Sequence, residues 1–310
     1  MPSGLTDGYE KYHDLHGGEE ESRKSNYSDL ANKYYDLVTS FYEYGWGNSF
    51  HFAGRRHGET LCESIRQHEH YIAGTQEGDE EVLDVGCGIG GPLLEIASFS
   101  SALITGLNNN GYQISRGKEL ISSAGLSEQC NFVKGDFMNM PIPDNTFDAA
   151  YAIQATCHAP DASGVYSEVY RVLKPGQYFA LDEWCMTDRF DPNDAKHRAI
   201  KAEIKLGDGV IFAKDLAEEF PCPWYQPMDP SQFSWTSFRC TGIGRFITRV
   251  FVSTMECLHI APSGSMEVCN ILETASKGLL KGGREGIFTA NFFVLGQKPV
   301  TGKRIVDSHI

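Results

Sequence analysis

The sequence predicts an α/β fold: a doubly wound, mostly parallel sheet with helices on both faces. Three observations carry that expectation. Residues 82–91, Val-Leu-Asp-Val-Gly-Cys-Gly-Ile-Gly-Gly, run a short apolar strand into a glycine turn, and Pro92 then opens a helix, where its missing N–H leaves no partner unmet. Strand-like and helix-like stretches alternate from there to about residue 184 with short loops between them, the pattern of right-handed parallel crossovers. The spacing Gly86-x-Gly88-x-x-Gly91 puts glycines where a chain turns tightly and lets a ligand touch the backbone. This Rossmann-like spacing occurs in nicotinamide sites and in other adenosine-cofactor sites, so the turn alone does not choose between them.

Taken in order, residues 1–25 are polar, rich in Gly, Glu and His, and read as a flexible lead-in. Residues 26–78 form an N-terminal helical and aromatic segment. Tyr27, Leu30, Ala31, Tyr34, Leu37, Val38 and Phe41 recur at three- and four-residue steps, one face of a helix. A dense aromatic patch follows, and then a second helix with Leu61, Ile65, His68 and Ile72 on one stripe, ending near Gly74. Residues 79–190 form the cofactor-binding core. Its strands are expected at the opening stretch, 102–107, 131–134, 147–153 and 178–184, with Lys174-Pro175-Gly176 as a turn before the last. Residues 191–300 complete the sheet and add helices. Asp191 with Pro192 caps a helix to about Leu206, Val210–Ala213 is a short sixth strand, and helices cover 243–259 and 265–281, the latter closed by Gly282-Gly283. Ile287 to Leu295 returns late as an edge hairpin strand, and 301–310 is a tail.

Composition narrows the function. A hydrophobic share of 41 % over 310 residues supplies a full core, and the net charge of −14, from 41 acidic and 27 basic residues, lacks the basic stripe of a nucleic-acid binder. Nine cysteines without a C-x-x-C pair read as reduced thiols, which places the chain in the cytoplasm. His68 and His70 stand two apart on a helix and face different ways, a poor metal pair. Without a spanning apolar run, the chain reads as soluble or peripheral to a membrane.

In an open α/β sheet the ligand lies at the carboxyl ends of the strands. Those ends hold Asp84, Gly86, Cys87 and Gly88, then Asn108, Asp136, and Gln154 to His158. Asp136 suits an adenine amine, and Asn108 stands where a dinucleotide enzyme puts a carboxylate for the ribose. An Asp two residues before the first glycine, with Gly-Asp after the third strand, favours S-adenosylmethionine over a nicotinamide. Asp84 also reads as a carboxylate that only caps loop amides. The aromatic patch, Tyr42, Tyr44, Trp46, Phe50 and Phe52, reads either as core packing or as a π-rich wall for an apolar or cationic species.

The chain from about Tyr34 to Pro299 resembles the sterol 24-C-methyltransferases, which have the class I methyltransferase fold. Four blocks carry the resemblance: Tyr42-Glu-Tyr-Gly-Trp-Gly-Asn-Ser-Phe-His-Phe52, Leu83-Asp-Val-Gly-Cys-Gly-Ile-Gly-Gly-Pro92, Tyr151-Ala-Ile-Gln-Ala-Thr-Cys-His-Ala-Pro160 and Lys174-Pro-Gly-Gln-Tyr-Phe-Ala-Leu-Asp-Glu-Trp184. The second is shared by many methyltransferases; the first and third are far more specific. The resemblance implies that a sterol side-chain alkene takes the methyl of S-adenosylmethionine at carbon 24, without a metal, through a carbocation that aromatic faces stabilise. It implies catalytic roles for Tyr42, Glu43, Trp46 and His158, with Glu43 and His158 as candidate bases. Cofactor contacts fall to Asp84, Gly86, Cys87, Gly88, Gly90, Asn108, Asn109, Gln113, Asp136, Phe137 and Gln154, and acceptor contacts to Tyr44, Phe50, Phe52, Cys157 and Asp182. A small-molecule sterol partner, peripheral contact with an endoplasmic-reticulum or lipid-droplet surface, and a homo-oligomer are the associations it suggests. The alternatives are a methyltransferase for another isoprenoid alkene or a tocopherol-like phenol, and a non-catalytic sterol- or cofactor-binding relative. Four departures stand out: Gln154 in place of glutamate, Gly54 in place of proline, Asp182 in place of tyrosine, and a shortened stretch after Gly209.

Overall fold

The computed structural model describes residues 22, 26–74, 80–197, 214–231, 238, 240–261 and 264–300. Two helices, α1 (Tyr27–Gly45) and α2 (Leu61–Ala73), precede the sheet. The core then runs β1 (Glu81–Val85), α3 (Gly91–Ser100), β2 (Leu103–Asn108), α4 (Gly111–Ala124), β3 (Cys130–Lys134), β4 (Phe147–Ile153), α5 (Ala162–Val172) and β5 (Leu173–Met186). The remainder adds β6 (Lys214–Asp215), α6 (Gly242–Cys257), α7 (Ser265–Glu285) and β7 (Phe288–Gln297).

The seven strands lie in the order β3-β2-β1-β4-β5-β7-β6. The pairs β1–β2, β1–β4, β2–β3 and β4–β5 are parallel, and β7 runs antiparallel between β5 and β6. The chain winds outward from β1 to β3, then restarts at β4 on the other side, so the switch point falls between β1 and β4. Strand alternation divides the core in two. Leu83, Val85, Ala150 and Ala152 pack under Val165, Val169 and Val172 of α5. Val82, Ile104 and Tyr151 face Leu93, Ile96 and Ala97 of α3, with Ile72 of α2 and Ile121 of α4. Local chemistry sets the helix ends. Thr60 and Glu63 form a reciprocal capping box at the start of α2, and the Asn110 side chain accepts from Gln113 N at the start of α4, which stops at left-handed Gly125.

Several boundaries differ from expectation. The final strand is not an edge: β7 lies inside, and the two-residue β6 pairs only with Phe292 and Phe293. The expected sixth strand at 210–213, the helix beyond residue 197 and the shortened stretch after Gly209 lie outside the described residues. Asp191 does not cap that helix; its carboxylate accepts from Asn193 N, and Asp194 accepts from Lys196 N and His197 N where the helical turn begins. Residues 174–176 join β5, with Gly176 at φ 87 where the register shifts. Helix α7 passes through Gly282-Gly283 and ends at Gly286, φ 68. Gly283 is there for packing: a Cβ on it would overlap the Tyr225 ring. Gly283→Ala is expected to cost about 1–3 kcal/mol, measured by urea denaturation. Gly242→Ala, where an added methyl meets open space, should leave stability near the wild-type value.

Candidate functional site

A crevice opens at the carboxyl ends of β1, β2 and β4, where an open α/β sheet binds its ligand. The glycine turn forms its floor. Gly86, Gly88 and Gly90 all have left-handed φ, at 80, 55 and 82°. The first two turn amides are spent within the protein, since Gly86 N and Cys87 N both donate to Leu107 O at 2.9 and 3.1 Å. A Cβ on Gly88 would meet nothing closer than Phe50 at 4.0 Å, so that point of the turn faces the crevice. Asp84 lies under the turn, 3 % exposed, and its Oδ2 has no well-aligned hydrogen-bond partner. Burial pushes its carboxyl up to about 7 against the pull of the Tyr151 hydroxyl.

Side-chain amides tie α1 across the crevice. Asn108 donates to Gly88 O and to Gln113 Oε1, both at 2.9 Å, so it braces the turn from within. Gln113 donates to Thr39 Oγ1 at 3.1 Å, Asn110 to Asp36 at 2.8 Å and Asn109 to Ser28 at 3.2 Å. Tyr27 donates its hydroxyl to Asp136. Tyr27, Ala31 and Tyr35 thereby line the crevice together with Phe50, Phe137 and His158, Tyr27 stacking on Phe137. The Tyr35 hydroxyl and His158 Nε2 share a hydrogen bond at 2.9 Å, and burial pushes the His158 imidazole down to about 4.

Behind the crevice lies a buried polar junction. Gln154, at φ 51, uses its whole amide. Its Oε1 accepts from Phe52 N at 2.8 Å and Trp184 Nε1 at 2.7 Å, and its Nε2 donates to Phe52 O at 3.0 Å and Asp182 Oδ2 at 2.9 Å. Asp182 Oδ2 also accepts from Asn291 Nδ2 and lies 3.1 Å from His68 Nε2. His51, which lines the crevice, shares Nδ1 with Phe52 O at 2.9 Å and Nε2 with Glu69 at 3.1 Å. Burial opposes its charge, but the Glu69 carboxylate and the Phe52 carbonyl outweigh that and hold its pKa above the ordinary histidine value. Glu183 staples the loop after β4, accepting from Thr156 N and Oγ1, both at 2.6 Å, and Cys157 N at 3.0 Å; burial pushes it up to about 7.

The residues expected in the site fall into two groups. Asp84, Gly86, Cys87, Gly88, Asn108, Asn109, Gln113, Phe137, Gln154, Phe50 and His158 line the one crevice. The others stand elsewhere. Glu43 is not placed as a base: it is paired with Arg116 of α4 at 2.8 Å. Tyr44 is 76 % exposed and forms no wall. Tyr42 shares a hydrogen bond with the Tyr34 hydroxyl at 2.7 Å and touches Phe50 from outside the lining. Trp46 and Phe52 belong to a packed aromatic cluster with Trp224 and Phe288. Asp182 is fully buried in the polar junction, so it is a bracing residue and not an acceptor contact. Cys157 is held over Glu183, and Asp136 is taken by Tyr27 and Met138 N. Gly90 caps α3. Sequence reading passed over Tyr27, Tyr35 and His51. Tyr27 falls within the apolar helical period, and Tyr35 lies off it. Glu69 gave a usable signal, a carboxylate on the stripe that also carries Ile65 and Ile72.

A sheet of this order, with a glycine-floored crevice at its switch point and a buried carboxyl beneath, defines a class I S-adenosylmethionine-dependent methyltransferase. The methyltransferase-domain family matches residues 83–181, and the sterol methyltransferase C-terminal family matches residues 235–300. The chain is 59 % identical to cycloartenol-C-24-methyltransferase of Arabidopsis thaliana, with 94 % of this chain and 93 % of the relative covered. It is 46 % identical to sterol 24-C-methyltransferase ERG6 of Saccharomyces cerevisiae, over 90 % of this chain and 81 % of that one. The chain belongs to the sterol 24-C-methyltransferase family. Among solved structures, the [4+2]-cyclase SpnF shares the fold with a TM-score of 0.64 at 20 % identity, over 88 % of this chain and 97 % of that one. Geranyl diphosphate C-methyltransferase from Streptomyces coelicolor does so at 0.57 and 12 %, over 86 % and 98 %.

The residues present fit the methyl donor. A buried carboxyl with an unpaired oxygen suits the ammonium of its methionyl end, and the turn at Gly88 is open to a ligand.

Proposed function

We propose that the protein methylates carbon 24 of a sterol side-chain alkene, with cycloartenol, the acceptor in its relatives' names, as the first to test. The observation that carries this reading is 59 % identity across 94 % of the chain to a cycloartenol-C-24-methyltransferase. When bound, S-adenosylmethionine supplies an electrophilic methyl group. The protein's part is chiefly alignment of an alkene against it, since a positioned pair of reactants gains most of its rate from geometry. Tyr35, Phe50 and Phe137 line the crevice, and each well-placed ring stabilises the cation formed on the acceptor by about 0.5–2 kcal/mol. The reaction closes with loss of a proton from the acceptor. His158 is neutral near pH 7 because burial holds it down to about 4, so with Tyr35 it forms a dyad able to take that proton.

The test is incubation with methyl-labelled S-adenosylmethionine and a panel of Δ24-sterols, another isoprenoid alkene and a tocopherol-like phenol, followed by analysis of the lipid extract. Label in a C-24-methylated sterol is expected; label only in the phenol, or cofactor binding with no methylated lipid, overturns the reading. In the same assay His158→Ala should lower turnover by roughly 10²-fold or more with cofactor affinity unchanged.

A further inference from the structure

His51 lines the crevice with both ring nitrogens committed. Its Nδ1 stands 2.9 Å from Phe52 O and its Nε2 3.1 Å from Glu69 Oε1. A carbonyl oxygen only accepts, and so does an ionised carboxylate. A neutral imidazole, with a single N–H, would set its lone pair against one of them. An imidazolium donates to both. Its surroundings favour that charge over a neutral ring beside a protonated Glu69. From α2, the His68 ring lies 5.5 Å away, itself 3.1 Å from Asp182 Oδ2 of β5. Asp182 favours the His51 cation, and His51 in turn pulls down the Asp84 carboxyl of β1, as the Tyr151 hydroxyl of β4 does. Both His51 and Glu69 are buried, so solvent screens the pair little.

The cofactor brings an anion to this charge. The methionyl end of S-adenosylmethionine bears a carboxylate beside its ammonium. Asp84 suits the ammonium and repels the carboxylate. Among the described residues that line the crevice there is no Arg or Lys, and the other histidine, His158, is held neutral near pH 7 by burial. Glu69 stands off the lining, behind the ring. We propose that His51, held as an imidazolium by Glu69 and the Phe52 carbonyl, is the residue that binds the cofactor's carboxylate. Both N–H groups are spent within the protein, so His51 acts by charge and not through a direct hydrogen bond. Glu69 is a positioning residue that acts through it. None of this depends on which acceptor is methylated.

The experiment is calorimetric titration of the full chain with S-adenosylmethionine, decarboxylated S-adenosylmethionine and 5′-methylthioadenosine, for the wild type, His51→Gln and Glu69→Gln. The wild type is expected to bind S-adenosylmethionine roughly 10–10²-fold tighter than the decarboxylated form. In His51→Gln that ratio should fall to near one while 5′-methylthioadenosine, which has no methionyl charge, binds as before. In Glu69→Gln the new amide can donate to Nε2 and the ring can be neutral, so the ratio should be near one at about pH 8 and recover as pH falls to about 6. Protonation of Asp84 over the same range weakens both charged ligands alike and cancels in the ratio. A wild type that does not tell the two ligands apart overturns the proposal, and so does an unchanged ratio in His51→Gln. An equal loss for all three ligands in that variant marks a structural role and overturns it too. If His51→Gln does not fold, the Glu69→Gln ratio decides alone, and a ratio flat across pH overturns the proposal.

Discussion

Replacing Asp84 with asparagine is expected to weaken S-adenosylmethionine binding by roughly 10²–10³-fold while making the cofactor-free protein more stable. The two effects have one cause. Burial pushes the Asp84 carboxyl up to about 7 from an ordinary 3.8, against the pull of the Tyr151 hydroxyl and of His51. As pH rises from the unfolded value to the folded one, the unfolded chain ionises this group freely while the folded chain resists. Folding therefore loses stability across that window, about 4 kcal/mol once it is passed. Asparagine removes the loss, so the gain in melting temperature should be larger at about pH 8 than at about pH 5. Cofactor affinity should fall about tenfold for each pH unit below about 7, because the ammonium needs the ionised carboxylate. Calorimetric titration across pH, beside thermal melts of both proteins, reads all three effects. Unchanged affinity in the variant would remove Asp84 from the cofactor site.

Gln154→Glu is expected to destabilise the fold by about 3–5 kcal/mol, as an uncompensated buried charge does. The Gln154 amide donates to the Phe52 carbonyl at 3.0 Å and to Asp182 Oδ2 at 2.9 Å. A carboxylate there has no proton for either and sets a second negative charge against Asp182. Adding Asp182→Asn should restore a large part of the loss, because an amide at 182 can donate back across the same contact. Urea denaturation of the two single variants and the double variant gives the coupling. Purely additive losses would show that the two side chains do not act as a pair. The structure puts Gln154 and Asp182 in direct contact.

Glycine spacing and strand–helix alternation made the sheet and its cofactor edge legible, because both are local patterns. Asp84, Gly88, Asn108 and His158, expected at strand ends, line one crevice because chain topology places strand ends together. What the sequence did not show is which face a side chain takes in a segment whose partner is distant. Glu43, Tyr44 and Trp46 share a four-residue span, yet one pairs with Arg116, one meets solvent and one packs with Phe52. Tyr27 belongs to a real helical period, yet α1 buries Leu37 and Val38 on that face and turns Tyr27 onto the crevice, beside Tyr35, which lies off that period. Gly282-Gly283 looked like a helix stop because glycine is the commonest one, and close packing against Tyr225 was invisible without the fold. Gly54 is explained the same way: the Phe220 ring lies against it and leaves no room for a Cβ.

The amide ties of Asn109, Asn110 and Gln113 make α1 a shared wall: its Tyr27 closes the cofactor end and its Tyr35 reaches His158. Two ligands that each favour the same seating of one helix are thermodynamically coupled. Whatever factor the methyl donor lends to acceptor affinity by seating α1, the acceptor returns to the donor in equal measure. The demethylated product of the donor, lacking the sulfonium charge but leaning on the same residues, enters that balance as a competitor whose hold depends on whether the acceptor is still present.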